Sequence, residues 1–176
     1  LISVMTTEGE DEILAATRNG MGIRFSEKDV RPMGRTATGV KAISLREGDY
    51  LVSAIKMSPT AKVLNVTEKG FGKQTLPEEF KVQYRGGMGV KIHQLTEKTG
   101  LLTGVLMLEE NEEIMLITSE GVIIRLRGAD ISTIGRVSQG VKLMNLDEGV
   151  SVVGIAKITE DDIESEEEEL AEMEEK

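Results

Sequence analysis

"ATRNGMGIR" at residues 16–24 returns as "VTEKGFGKQ" at 66–74 and as "ITSEGVIIR" at 117–125, aligned on Gly20, Gly70 and Gly121 at spacings of 50 and 51. A second set keeps the same spacing: "GRTATGVKAI", "YRGGMGVKI" and "GRVSQGVKL" align on Gly39, Gly89 and Gly140. A third set, "YLVSAIKM" (50–57), "LLTGVLML" (101–108) and "VSVVGIAKI" (150–158), closes each unit. A fixed period of this length marks a repeat architecture, in which each unit buries against its neighbour a face it cannot bury alone. The opening "LISVM" fits the closing element again, because Leu1 stands 50 residues before Leu51. Residues 1–8 therefore read as the closing strand of a truncated preceding unit.

Within a unit the pattern is that of short strands. "EILAAT" alternates apolar and small residues, Asn19-Gly20 suits a type I′ hairpin turn, and "GIRF" returns with period 2. After a glycine-rich connection, "GVKAISL" and "YLVSAIKM" read as two further strands joined by the "REGD" turn. Four strands in each repeat predict an all-β, propeller-like array of four-stranded blades, incomplete as it stands. The expected blades are 9–58, 59–108 and 109–158, followed by a tail at 159–176.

Composition removes several alternatives. With no Cys the chain has neither disulfides nor a zinc-thiolate site. Apolar runs such as "LLTGVLML" are too short for a membrane span, and no signal peptide opens the sequence, so the reading is of a soluble, cytoplasmic protein with no membrane partner. The formal net charge of −10 is concentrated in the tail, where Thr159 to Lys176 holds eleven acids and one lysine. The other 158 residues carry 20 acids and 20 bases, and Ile13 to Lys98 holds fifteen bases against eight acids. The body is basic-leaning and the tail acidic. "SEEEELAEMEEK", with Ser165 and Glu168 in a capping-box pattern, reads as a solvated disordered segment or a short helix.

Aligned copies separate charges that recur from charges that scatter. Arg35, Arg85 and Arg136 share one column, four residues before the loop glycine; Lys41, Lys91 and Lys142 share a second, two residues after it. Arg24 and Arg125 form a third, where the middle copy has Gln74 with Lys73 beside it, and Arg31 opens the first connection. Lys and Arg commonly occupy solvated strand positions, but two full columns flanking a glycine loop suit a long polyanion, whose neutralised phosphates release counterions. In "QYRGGMGVKI" (83–92) the glycines Gly86, Gly87 and Gly89 either let a phosphate backbone come close or only turn the chain between strands. The run lacks the G-x-x-x-x-G-K-[ST] spacing of a P-loop, and no helix follows to make a dinucleotide fingerprint.

At these residues the sequence resembles the C-terminal domain of bacterial DNA gyrase A. That family carries a box of the form Q-[RK]-R-G-G-[RK]-G, and residues 83–89 read Q-Y-R-G-G-M-G. "RPMGRTATGVKAISLREGDYLVSAI", "EEIMLITSEGVIIRLRGADISTIGRVSQGVKLMNL" and the acidic tail are similar to its final blades in order. In the family the full box lies in the first blade of a six-bladed β-pinwheel; here Tyr84 and Met88 replace two basic positions in a penultimate repeat, so this is a degenerate relative of the box. Gln83, Arg85, Gly86, Gly87 and Gly89 are the box residues that carry over.

The resemblance implies a β-pinwheel that wraps double-stranded DNA around its basic outer edge, in support of ATP-dependent negative supercoiling by the holoenzyme. It implies as partners the rest of DNA gyrase A, together with DNA gyrase B, in an A2B2 heterotetramer in the cytoplasm at the nucleoid. ATP and magnesium belong to that holoenzyme; for this chain the expectation is no cofactor and no catalysis. Recognition would run through phosphates and duplex deformability rather than base edges. The alternatives are the related domain of topoisomerase IV and a propeller-like protein-interaction scaffold. His93 is the single histidine, without Cys or a paired acid at ligand spacing, and reads as a strand residue; Tyr50 and Tyr84 do not inherit the family's DNA-cleaving role. The 3% aromatic content leaves few platforms for stacking single-stranded bases.

Overall fold

The computed structural model describes residues 1–158, and its regular elements are strands and single 3-10 turns. In chain order the strands are β1 (Glu12–Thr17), β2 (Met21–Ser26), β3 (Leu51–Lys56), β4 (Lys62–Thr67), β5 (Phe71–Thr75) and β6 (Val90–Lys91). They continue with β7 (Leu102–Leu108), β8 (Glu113–Thr118), β9 (Ile123–Arg127), β10 (Val141–Lys142) and β11 (Val152–Ile158). Three antiparallel sheets result, ordered β3-β1-β2-β6, β10-β5-β4-β7 and β11-β8-β9. The acidic tail, with its candidate capped helix, lies outside the described residues.

The sheets do not coincide with the sequence repeats, which corrects the expected hairpin between "GVKAISL" and "YLVSAIKM". Each closing strand pairs with the first strand of its own repeat, as in Ala15↔Ala54 for β1 and β3. The first strand is then flanked on both sides, and only the outer edge of the second remains. That edge is taken by the next repeat: β6 lies on β2 with Gly22↔Val90, and β10 lies on β5 with Gly72↔Val141. The connections that deliver these short strands are themselves held to the preceding sheet, with Gln83 N–H donating to Arg24 O at 2.7 Å and Ile134 N–H to Gln74 O at 2.9 Å. The "REGD" segment is a turn, closed by Asp49 N–H to Arg46 O at 3.0 Å. Residues 1–8 form no strand, and Ser3 Oγ donates to Ala54 O at 2.8 Å.

The hairpin turn also differs from expectation. A type I′ turn needs positive φ at both central residues, yet no non-glycine residue among the described residues has positive φ. Instead Gly20 N–H closes onto Thr17 O at 3.0 Å, and Gly20 itself takes the left-handed conformation at φ 75°. This is the three-residue loop in which a type I turn ends in a left-handed glycine. Gly70 and Gly121 repeat it. The recurrent threonine is explained at the same time: Thr17, Thr67 and Thr118 each accept, through Oγ1, the N–H of the residue after the glycine.

Burial follows the strand alternation. From β1, Leu14 and Ala16 enter a core with Val63, Phe80, Ile92 and Leu102, while Ala15 faces Ile23, Phe25 and Ile43 on the other side. A second core, of Leu64, Val66, Leu108, Ile114, Leu116 and Ile131, joins the second sheet to the third. The cluster around Ala15 lies within the first repeat, but the other two cores each draw on two repeats, so neighbouring blades stabilise one another. On β8, by contrast, Ile114, Leu116 and Thr118 are buried while the alternate residues are half-buried, so that face of the third sheet is less covered. Blades meet at the inner strands, where β3 packs on β7 and β7 on β11.

Candidate nucleic-acid interface

The exchanged strands decide where the recurring cations lie. Lys91 sits on β6 opposite Met21 and Lys142 on β10 opposite Phe71, so each lysine is carried on the outermost strand of the sheet before its own repeat. Lys41, Lys91 and Lys142 are all exposed, and none forms an ion pair among the described residues. Lys91 Nζ donates to Gln94 Oε1 at 3.1 Å, and the Lys142 ammonium lies 5.9 Å from the centre of the Phe71 ring. Lys98 lies 5.4 Å from the same ring. Lys98 carries no repeated signal in the sequence, because its counterparts are Gly48 and Gly149.

The arginine column does a second job. Arg85 donates from Nε to Asp29 O at 2.8 Å and from NH1 to Lys41 O at 3.1 Å. Arg136 donates from NH1 to Lys91 O, and its backbone N–H reaches Glu79 Oε2 at 2.7 Å. In both repeats the arginine clasps the main chain at the lysine of the preceding loop, fixing one recurring cation relative to the other. Carbonyl partners leave the guanidinium charge unneutralised. Arg31 and Arg35 are exposed and form no ion pair among the described residues.

The third column is corrected by the structure. Arg24 pairs with Glu12 and also donates from NH1 to Pro77 O at 2.8 Å and Phe80 O at 3.0 Å, reaching the 3-10 turn Pro77–Glu79 of the next repeat. Gln74 does the equivalent, donating from Nε2 to Gly128 O at 2.9 Å. Arg125 pairs with Glu113. Lys73 is fully buried and presents no surface to a phosphate. Arg24 and Gln74 join blades, and the burial that makes them do so depends on which face of the strand meets the next repeat.

The glycine loop resolves toward crossing of chains. Gly89 has φ 67°, and a β-carbon there would stand 2.3 Å from Gly22 O; at Gly140, φ 75°, it would stand 2.6 Å from Gly72 O. Gly86, at φ 84°, donates its N–H to Ala42 O at 2.6 Å, and Gly87 O accepts from Ser44 N–H at 2.8 Å. Gln83 is half-buried beside β2, whereas Tyr84 and Met88 are 70% and 51% exposed. The loop glycines thus bring two backbones together, and the outer surface is left to the side chains. His93 lies just past β6 rather than in a strand; it is buried, with Nε2 3.0 Å from Gln139 O.

No group of three or more His, Asp or Glu side chains converges as a ligand set among the described residues. No helix among the described residues is long and apolar enough to cross a membrane.

Antiparallel blades, the first two of which receive a strand from the following repeat with a lysine on it, define a β-propeller-like repeat domain of the pinwheel type. The chain belongs to the DNA gyrase C-terminal domain, beta-propeller family, whose model matches residues 11–56, 62–109 and 112–159. It is 45% identical over 164 residues to DNA gyrase A of Staphylococcus epidermidis, covering 92% of this chain and 18% of that protein. It is 43% identical over 171 residues to DNA gyrase A of Staphylococcus aureus, covering 96% of this chain and 19% of that protein. The chain therefore spans about a fifth of the length of these relatives. Among solved structures, the C-terminal domain of DNA topoisomerase IV superposes with a TM-score of 0.86 at 29% identity, over 97% of this chain and 54% of that one. A DNA gyrase A C-terminal domain superposes with a TM-score of 0.81 at 24% identity, over 87% of this chain and 52% of that one, a likeness of fold.

Proposed function

We propose that this chain is a DNA-wrapping module of a type IIA topoisomerase, bending duplex DNA around the outer edge of its blades. The observation that carries the reading is the recurring exposed lysine, without an acidic partner among the described residues: Lys91 and Lys142 lie on exchanged strands, and Lys41 and Lys91 are clasped at their carbonyls by the arginine of the next loop. The units 9–58, 59–108 and 109–158 would each supply one such contact, with Arg31, Arg35 and Lys98 adding charge beside them. Regular spacing of cations on a rigid array suits the phosphate backbone, which binds by counterion release and carries no base sequence. In the intact protein this module would serve DNA gyrase A, assembled with DNA gyrase B as A2B2 in the cytoplasm, with ATP and magnesium handled elsewhere in the assembly. The superposition on topoisomerase IV supports a second reading, as that enzyme's domain. ATP-dependent negative supercoiling of relaxed plasmid by the intact enzyme separates the two.

The direct test replaces Lys41, Lys91 and Lys142 together with Gln. All three side chains are exposed, so circular dichroism should be unchanged. Duplex affinity at about 0.1 M salt should fall roughly 10- to 30-fold for any sequence, and the slope of log K against log salt should flatten by about 2–3, at about 0.9 per lost phosphate contact. Unchanged affinity and slope would move the wrapping surface elsewhere or favour the protein-interaction scaffold.

A further inference from the structure

We propose that Lys73 is a positioning residue for DNA binding: its buried ammonium pins the 135–138 segment of the third repeat so that Arg136 and Lys142 are held at the outer edge. This rests on the wrapping function proposed above, but its geometry stands by itself.

Lys73 is wholly buried on β5 and forms no ion pair among the described residues. Its Nζ instead donates to Gly135 O at 2.9 Å, Arg136 O at 2.5 Å, Ser138 O at 3.2 Å and Ser138 Oγ at 3.1 Å. Ser138 Oγ in turn donates to Gly135 O at 2.7 Å, which closes the ring. The four acceptors come from three residues of the following repeat, Gly135, Arg136 and Ser138. An ammonium has three N–H donors and no acceptor, so it can gather carbonyls that would otherwise repel one another. Arg136 is consequently fixed at its carbonyl by Lys73, at its N–H by Glu79 and at its guanidinium by Lys91 O.

The other repeats show why a lysine is needed here. The counterparts of Lys73 are Ile23 and Ile124. In the first blade Ile23 faces the loop at Gly87, and that loop turns on Gly86 at φ 84°. In the third repeat the Gly86-Gly87 pair is replaced by Val137-Ser138. Valine does not take positive φ readily, and no non-glycine residue among the described residues does so. The loop has lost its glycine turn, and the lysine beneath it supplies a polar anchor in its place. Burial pushes the Lys73 ammonium down to about 8, with Glu79 opposing and Arg136 reinforcing the shift. The other titratable group that senses this charge is His93, held near 4 by its own burial, so Lys73 is the group of this cluster that titrates between pH 7 and 9.

The test is K73I, which installs the residue of the other two repeats, studied in the full chain with a duplex oligonucleotide as probe. Affinity should fall about tenfold although Lys73 is out of reach of DNA, and amides of 134–140 should exchange with deuterium at least tenfold faster while β4 and β5 stay protected. In the unsubstituted protein, affinity and protection of that loop should both decline from pH 7 to 9 as the ammonium loses a donor; K73I should be flat. A K73I protein that binds and protects the loop like the parent, or a parent profile that is flat from pH 7 to 9, overturns the proposal. If K73I does not fold, the parent pH profile decides alone. Failure of the parent to bind duplex would count against the wrapping function, while loop exchange would still decide the role of Lys73.

Discussion

Alanine at Gly89 is expected to cost about 4 kcal/mol or more and to part the first blade from the second. Two effects add. A left-handed conformation, here φ 67°, costs a residue with a β-carbon roughly 1–2 kcal/mol. The larger effect is contact: the new methyl would stand 2.3 Å from Gly22 O and 2.7 Å from Gly22 C, where ordinary contact begins at 3.4 Å. Both neighbours are backbone, so relief requires β6 to lift from β2. That sacrifices the Gly22↔Val90 pairing and the seat of Ile92, which is buried against Leu14 and Phe80. Costs of this size come from few mechanisms, and backbone overlap in a buried crossing is one of them.

The repeats provide an internal control. Gly140→Ala should behave like Gly89→Ala, because the contact there is 2.6 Å to Gly72 O. Gly39 has the same motif and φ 86°, but nothing lies within 4 Å of the position its β-carbon would take. Gly39→Ala should therefore cost only the conformational term, about 1–2 kcal/mol. Urea denaturation followed by far-ultraviolet circular dichroism distinguishes these outcomes. Equal losses at all three positions would mean that the glycines serve the turn alone.

This contrast shows what the sequence made legible. The period of 50 and 51 residues, the first, second and closing strands of each repeat, the all-β class and the family were readable, because the hydrophobic alternation and the glycine turns recur in register; "GVKAISL", by contrast, forms no strand, and its counterparts keep only Val90–Lys91 and Val141–Lys142. Strand exchange was not readable, since Val90–Lys91 reads alike whether it pairs within its repeat or with the one before. Gly22 and Gly72 were the available clue: a strand glycine often marks close approach of another backbone. In the third column Arg24 and Gln74 serve blade contacts and Lys73 is buried for a related reason, while Arg125 stays exposed. Arg24, Gln74 and Arg125 share an alignment position, but a charge pattern does not say which strand face a neighbouring repeat will cover. The Lys column is exposed because Lys91 and Lys142 sit on outermost strands, where no further blade element lies over them.

His93 illustrates a buried group whose effect on stability appears only with pH. Its Nε2 faces Gln139 O at 3.0 Å and must carry the proton, since a carbonyl oxygen can only accept. Nδ1 is then a lone pair, and it has no hydrogen-bond partner. Adding a proton would place a second N–H and a full charge in the interior, near the Lys73 ammonium. Burial, with Lys73 assisting, lowers His93 from 6.5 to about 4 in the folded chain. Between those values the unfolded chain binds one more proton than the folded one, so stability must fall as pH falls. The loss should begin near pH 6.5 and be complete just below pH 4, reaching about 3 kcal/mol at about 1.4 kcal/mol per unit. Glu27, held below its usual range by hydrogen bonds from the Thr7 side chain and from the N–H groups of Asp11 and Gly9, adds its own loss only below about 4.5. Replacing His93 with Met, the residue at the aligned position 144, removes both the proton site and the unpaired Nδ1 while keeping an apolar side chain of similar size. The variant should hold its stability from pH 6.5 down to about 4.5, measured by urea denaturation at each pH. A variant that lost stability in parallel with the parent over that interval would assign the acid limb to carboxylates and leave His93 no part in it.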